Sequence, residues 1–384
     1  MKVNGLKVAF LFILSLDGLC AHFTYLTQHQ VSYTKTLLSR LMMNTVDTKN
    51  GETFHPIIAG SVRLGFHDCV GGCDGCINLN NPDNAGLDTT FNALNDLYAR
   101  ERIDQIMSRA DFFALAGIVG AEVGSKMKYG MGPMQSRRMP YFAFNRSPYF
   151  GFRGLFYGFP HHYRYKRHFY GFWRPRFSTR CFTSPCIPFR WGRRDCPTSP
   201  ITTEMRVFPN ALGNLTETVD YFRRVFDLTP EQLAAVLGAH TLGDAGKDAS
   251  GFDGEWVTER DVFDNEFYRV LSDQTQLWMQ ENENPDDPNK PRWQWNAKKG
   301  KEGEKGLMML NTDMELFKNT APNSEGRVTS CPADVSTCPS SRLADRVKLY
   351  ASNNAKFLDD FSVAYGKMLT TGYKSWELRY PSLY

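Results

Sequence analysis

Residues 63–76 read RLGFHDCVGGCDGC: an arginine, a phenylalanine and a histidine within five positions, then an aspartate, then three cysteines within eight residues. On a helix Arg63 and His67 are four apart and share one face, so guanidinium and imidazole can enter the same pocket. The cysteines leave two readings open. They form a soft-metal cluster, or they pin a loop beside chemistry done by Arg63 and His67. A zinc cluster lacks a fourth Cys or His at zinc spacing.

Working outward, the chain of 384 residues is long enough to bury a large core as one domain or two packed lobes. Hydrophobic residues make up 42% and charged residues 22%, a composition for a folded protein. The N-terminus, MKVNGLKVAFLFILSLDGLCAHF, places Lys2 and Lys7 before an apolar run from Val8 to Leu16 and a small-residue exit at Gly18-Leu19-Cys20. That pattern predicts a secretory signal over residues 1–20, and hence a secreted, extracellular protein. Nine apolar residues are too few to span a bilayer, and no later stretch predicts a membrane span. Eight cysteines follow Cys20, an even set that favours disulfides in an oxidising compartment. Cys331 and Cys338 suit a local bridge, and Asn214-Leu215-Thr216 is a glycosylation sequon.

Helical signals dominate. Leu87 to Met107 carries helix-spaced apolar residues, and Asp111 is placed to cap FFALAGIVGAEV. In LTPEQLAAVLGAH, Thr229 predicts an N-cap, Pro230 the first helical position and Gln232 the partner in a capping box. Residues 356–369 put Phe357, Phe361, Ala364, Tyr365 and Met368 on one face. No run of alternating strands competes, so the fold class is mostly α.

Residues 126–186 break the pattern with 18 aromatics, 12 Lys or Arg and no Asp or Glu, Leu155 being the only Leu, Ile or Val. Without aliphatic packing material, this segment is expected to be a disordered insertion. Its charge and aromatic rings would also suit nucleic acid, an anionic surface or a matrix. Setting aside its 12 cations leaves 33 basic residues against 41 acidic ones, a balance of −8 for the rest of the chain. The basic character therefore belongs to the insertion.

A neutral histidine can take a proton from one oxygen of a peroxide and return it to the other, and a fixed cation can stabilise the charge that develops as the O–O bond breaks. VRLGFHDC resembles the distal haem helix of the plant, fungal and bacterial haem peroxidase superfamily. LAAVLGAHTLGDA resembles that family's proximal helix, and LMMLNTDMELF the segment bearing the aspartate behind the proximal histidine. The three blocks stand in family order, with DNAGLDTTFNAL, ADFFALAG, PFRWGRRD, SGFDGEW and FDNEFY between them. The resemblance covers about residues 55–370 apart from the insertion. It implies a mostly helical, two-lobed fold with haem b between distal and proximal halves. The expected organisation is a signal at 1–20, peroxidase domain at 30–125 and 187–372, the insertion at 126–186 between them, and a C-terminal tail at 373–384.

The resemblance also implies roles. His240 would bind the haem iron and Asp313 would accept its other N–H. His67 would be the distal acid–base, Arg63 the charge stabiliser, Asn84 the acceptor for His67, and Phe66 a wall of the pocket. Trp256, sixteen residues after His240, would lie beside the proximal imidazole. Asp68 and Asp74 would bind a distal calcium ion, though Cys76 stands where an oxygen ligand is expected. Thr241 and Asp264, with Thr258, would hold a second cation on the proximal side. A Cys69–Cys73 disulfide would tighten the loop behind His67, leaving Cys76 to a distant partner such as Cys196. Ascorbate peroxidases carry a cation nine residues after the proximal histidine and a lysine upstream on the distal side; here those positions are Ala249 and His55. The implied activity is reduction of hydrogen peroxide with oxidation of a small phenolic or ascorbate-like donor, in the response to oxidative stress. The rival reading is a secreted haem-binding or matrix-interacting protein with lost or weak turnover.

Overall fold

The computed structural model describes residues 25–49, 51–128, 184–287, 289–297, 306–331 and 334–383. The expected signal at 1–20 and most of the insertion expected at 126–186 lie outside the described residues.

In the first half, helices α1 (Gln28–Asn44), α2 (Pro56–Cys69), α3 (Asp88–Arg100) and α4 (Arg109–Met127) pack together, with the short hairpin β1 (Asp47–Lys49) and β2 (Glu52–Phe54) leading into α2. The second half holds α5 (Leu215–Phe226), α6 (Pro230–Leu237), β3 (Asp244–Ala245), α7 (Lys247–Ser250), β4 (Gly254–Glu255) and α8 (Glu266–Leu271). A small antiparallel sheet follows, β5 (Trp278–Asn282), β6 (Trp293–Ala297) and β7 (Met308–Met309), then α9 (Asn311–Met314), α10 (Ala344–Ser352) and α11 (Asn354–Met368). The mostly helical fold class holds. The small sheet is an addition: its strands were not expected from the sequence pattern.

The contact that matters most for the site is α2 on α4. Every residue of α4 from Ala110 to Ala121 is buried, so the helix runs through the core. Gly117 lets it approach: a Cβ there would lie 2.3 Å from the Tyr365 hydroxyl and 3.3 Å from the Ser61 carbonyl. The Tyr365 hydroxyl donates to the Val62 carbonyl at 2.9 Å, so α11 is fastened to the backbone of α2 one residue before Arg63. All five residues expected on the apolar face of α11 are buried.

Local expectations fare unevenly. The Thr229 capping box forms as expected. The helix expected over 87–107 ends at Arg100, because Arg102 turns left-handed with φ 53° before a short turn at Ile103–Gln105. Ser108, not Asp111, caps α4, its hydroxyl accepting from the Asp111 N–H at 3.1 Å. Asp111 is committed elsewhere. It is buried against Arg193 at 2.8 Å and also accepts the Gly192 and Arg193 amides. Arg193 in turn donates to the Leu369 carbonyl, so this ion pair joins α4, the PFRWGRRD segment and the end of α11.

Helix α4 runs through Met127, past the boundary expected at 126. Within the segment expected as a C-terminal tail, Trp191 and Arg379 exchange backbone hydrogen bonds, and Ser382 bonds to Leu26 and Gln28. Three expected disulfides are present, Cys69–Cys73, Cys76–Cys196 and Cys331–Cys338. The opening cysteines therefore pin a loop. No group of three or more His, Cys, Asp or Glu among the described residues could hold a metal ion.

Candidate active site

Helix α2 begins with Pro56 at its first position, and the preceding His55 is bound through its backbone N–H and Nδ1 to Asp261. This holds the helix on the second half of the chain and presents Arg63 and His67 along one face. The Arg63 Nε lies 3.2 Å from Nε2 of His67, while its two terminal nitrogens donate to the Asp83 and Ala85 carbonyls at 3.0 Å each. The guanidinium thus keeps one orientation beside the ring.

Asn84 closes a short turn at Pro82–Asn84. Its Nδ2 donates to the Asn78 carbonyl at 2.8 Å, which aims Oδ1 at His67 Nδ1, 2.7 Å away. An amide oxygen only accepts, so Nδ1 carries the proton and Nε2 keeps its lone pair toward Arg63. Burial, and after it the Arg63 charge, push the His67 pKa well below the usual histidine value, with the Asn84 bond opposing them. Burial likewise lowers Arg63 to about 10, which leaves it cationic at neutral pH. Together they form a neutral proton acceptor beside a fixed cation.

Phe66 meets the His67 ring edge-on at 5.2 Å and stacks on Phe222 of α5 at 6.0 Å. The sequence gives no hint of Phe208, whose ring centre lies 4.6 Å from that of His67.

Across the chain, α6 ends at Leu237 and a tight turn at Gly238–Thr241 carries His240. Gly238 permits close packing beneath the turn: a Cβ there would lie 2.3 Å from the Tyr268 hydroxyl and 2.5 Å from Phe357. His240 Nδ1 lies 2.8 Å from Asp313 Oδ1, and Asp313 is fully buried. The other carboxylate oxygen accepts from Trp256 Nε1 at 2.8 Å and from the Leu310 amide at 2.9 Å. The Trp256 ring stacks on the imidazole, centres 4.4 Å apart and planes 18° apart. With Nδ1 donating to a carboxylate, Nε2 is the basic nitrogen; it has no hydrogen bond among the described residues, and the His240 side chain is 28% exposed while Asp313 and Trp256 are buried.

The residues expected to bind cations engage protein groups instead. Arg206 Nη2 sits 2.8 and 2.7 Å from the two Asp74 oxygens, and Nη1 donates to the Asp68 carbonyl at 2.8 Å. The donors expected to bind calcium already hold an arginine. Asp68 is buried, with Oδ1 accepting the Cys76 amide, and burial beside Asp74 pushes its pKa well up. On the proximal side Asp264 holds Lys128 at 2.8 Å, the Thr241 hydroxyl donates to the Val262 carbonyl, and Thr258 is exposed.

Nor do the ascorbate-related positions supply a free cation. His55 is buried against Asp261, and Ala249 packs near Gly86 beside Arg63. The sequon residue Asn214 spends its side chain capping α5, accepting from the Glu217 amide at 3.0 Å.

The chain matches the family described as peroxidase over residues 39–135 and 176–329, well over half its length. Among curated proteins it is similar to mitochondrial cytochrome c peroxidases. The identity is 28% over 191 residues for that of Cryptococcus neoformans var. grubii (49% of this chain, 41% of the relative). It is 30% over 188 residues for that of Aspergillus fumigatus (49% and 42%) and 31% over 193 residues for that of Emericella nidulans (49% and 42%). The chain thus spans about two fifths of the length of the curated relatives it matches. These relatives overturn the expectation of a secreted, extracellular protein: the cytochrome c peroxidases it matches are mitochondrial. No helix among the described residues is long and apolar enough to cross a membrane.

Proposed function

Because the chain belongs to the peroxidase family, we propose that it is a haem-dependent enzyme that reduces hydrogen peroxide at the expense of an electron donor. The observation that carries this reading is the shared polarity of two imidazoles. In each, a side-chain oxygen fixes the proton at Nδ1 and leaves Nε2 basic, but His67 faces a guanidinium and His240 is backed by a buried carboxylate.

The proximal residues fit haem. An imidazole with an unengaged, partly exposed Nε2 and a carboxylate on its far side is a donor set suited to iron. His240 would hold the iron, Asp313 would fix the ring's orientation and raise its basicity, and Trp256 would cover one imidazole face. Haem bound there would supply the redox-active iron at which peroxide is reduced.

The distal residues handle the proton. His67 Nε2 takes it from one peroxide oxygen and returns it to the other, so the leaving oxygen departs as water. Asn84 keeps the ring in the tautomer that can do this. Arg63 stabilises the charge that develops in between. Phe66 and Phe208 exclude water around the imidazole, which keeps it neutral.

The relatives' name brings in reduced cytochrome c as donor, alongside small phenols. Ascorbate is less well served, given Ala249 and the buried His55. We place the catalytic domain at 30–125 and 187–372 with the insertion at 126–186 between them; the family match pausing between 135 and 176 supports this. The test is steady-state turnover of haem-loaded protein with hydrogen peroxide and, separately, reduced cytochrome c, guaiacol and ascorbate. Peroxide-dependent oxidation of one donor that falls about 10²–10⁴-fold in His67→Ala supports the proposal. Absence of peroxide-dependent oxidation of all three contradicts it.

A further inference from the structure

We infer that Arg206 is the resident cation of the loop behind His67, standing where the resemblance places calcium, and that it is a positioning residue for His67.

The oxygen donors are already taken. Calcium needs six to eight oxygens, carboxylate and backbone carbonyl among them. Here the Asp68 carbonyl and both Asp74 oxygens accept from one guanidinium, whose side chain is 7% exposed. The position expected to give a further oxygen holds Cys76, and its sulfur is bonded to Cys196. Of the carboxylate oxygens only Asp68 Oδ2 stays unpartnered, too little for a calcium shell. A second cation would also meet a fixed positive charge already in contact with Asp74. Asp264 shows the same substitution on the proximal side, with Lys128 in contact.

The loop and the arginine also pack together: Gly71, at φ +88°, lies against the Arg206 stem. Asn78 and Asn81 hold the arriving segment through the Glu204 and Arg206 carbonyls. The Asn78 carbonyl also holds Asn84, and Phe208, two residues beyond Arg206, lies on the His67 ring. Arg206 therefore reaches His67 by three routes: the Asp68 backbone that follows it, the Asn78–Asn84 turn, and Phe208. That His67 needs positioning rests on the peroxidase reading; that Arg206 fills the cation position does not.

The test uses the full chain, haem-loaded, with calcium content and thermal midpoint measured before and after excess EGTA and again in millimolar calcium. The expected result is no stoichiometric calcium and an unmoved midpoint. Stoichiometric calcium whose removal lowers the midpoint would overturn the inference. Arg206→Gln should lower the midpoint by about 5–10 °C, and Arg206→Lys, which keeps the charge, by less. Positioning has a separate readout: in Arg206→Gln the rate constant with peroxide should fall about tenfold or more while haem affinity is retained. An unchanged rate constant in a destabilised variant would overturn the positioning role. If Arg206→Gln fails to fold, Arg206→Lys and the wild-type calcium measurements still decide. The calcium and midpoint results stand even if no donor is turned over.

Discussion

The amide oxygen of Asn84 lies 2.7 Å from Nδ1 of His67, and because the Asn84 nitrogen already donates to the Asn78 carbonyl, the proton between the two residues belongs to the imidazole. Asn84→Val removes that anchor while keeping approximate size. The imidazole can then adopt the other tautomer, with Nε2 protonated and unable to accept from peroxide. The expected loss in the bimolecular rate constant with peroxide is about 10–100-fold, smaller than that of His67→Ala. Stopped-flow kinetics of both variants checks the order.

The lowered pKa of His67 gives a pH dependence of definite sign. Below the usual value of 6.5 the unfolded chain protonates this histidine while the folded one does not. The unfolded state then binds more protons, so stability rises with pH across that window. The contribution is full above 6.5 and is lost as pH falls through 6.5 toward the lowered folded value. Asp68, with its raised pKa, acts in the opposite sense, so the comparison is wild type against His67→Gln. Their difference in unfolding free energy should shift in favour of His67→Gln on acidification. A difference constant with pH would contradict the assignment.

Asp313 holds three donors without exposure to water. Asp313→Asn removes the charge and leaves a single acceptor oxygen for the imidazole, indole and amide hydrogens. Haem affinity or the peroxide rate constant should fall about 10–100-fold. Trp256→Phe retains a ring over His240 and removes only one donor, so its effect on haem affinity should be smaller. Haem titration of the two variants measures the contrast.

Gly117→Ala tests the packing that aims α2. The added methyl would meet the Tyr365 hydroxyl and the Ser61 carbonyl, neither of which can retreat without breaking the Tyr365–Val62 bond. A stability loss of about 1–3 kcal/mol in chemical denaturation is expected.

What the sequence reveals about this site follows the range of the interactions. The Arg63–His67 pairing and the Thr229 capping box join residues four positions apart or fewer, and local rules suffice for them. The Asp313–His240 and Asn84–His67 contacts were reached only by resemblance, because chain folding brings their partners together. Asp111 shows how locality misleads. A capping preference is worth about 0.5–2 kcal/mol, and burial against Arg193 overrides it. The contacts at the expected cation sites were hidden for a related reason: the carboxylates are carried by the motif, but Arg206 and Lys128 arrive from distant parts of the chain. The small sheet escaped notice because its strands, such as Trp278–Asn282 and Trp293–Ala297, have five residues or fewer, too short for alternation to stand out.

The most direct test of the central claim is a stopped-flow absorbance record of haem-loaded protein mixed with one equivalent of hydrogen peroxide. The account predicts rapid loss of the ferric Soret band in the wild type, slowed about 10²–10⁴-fold in His67→Ala. A Soret band that peroxide leaves unchanged, or one lost equally fast without His67, would contradict it.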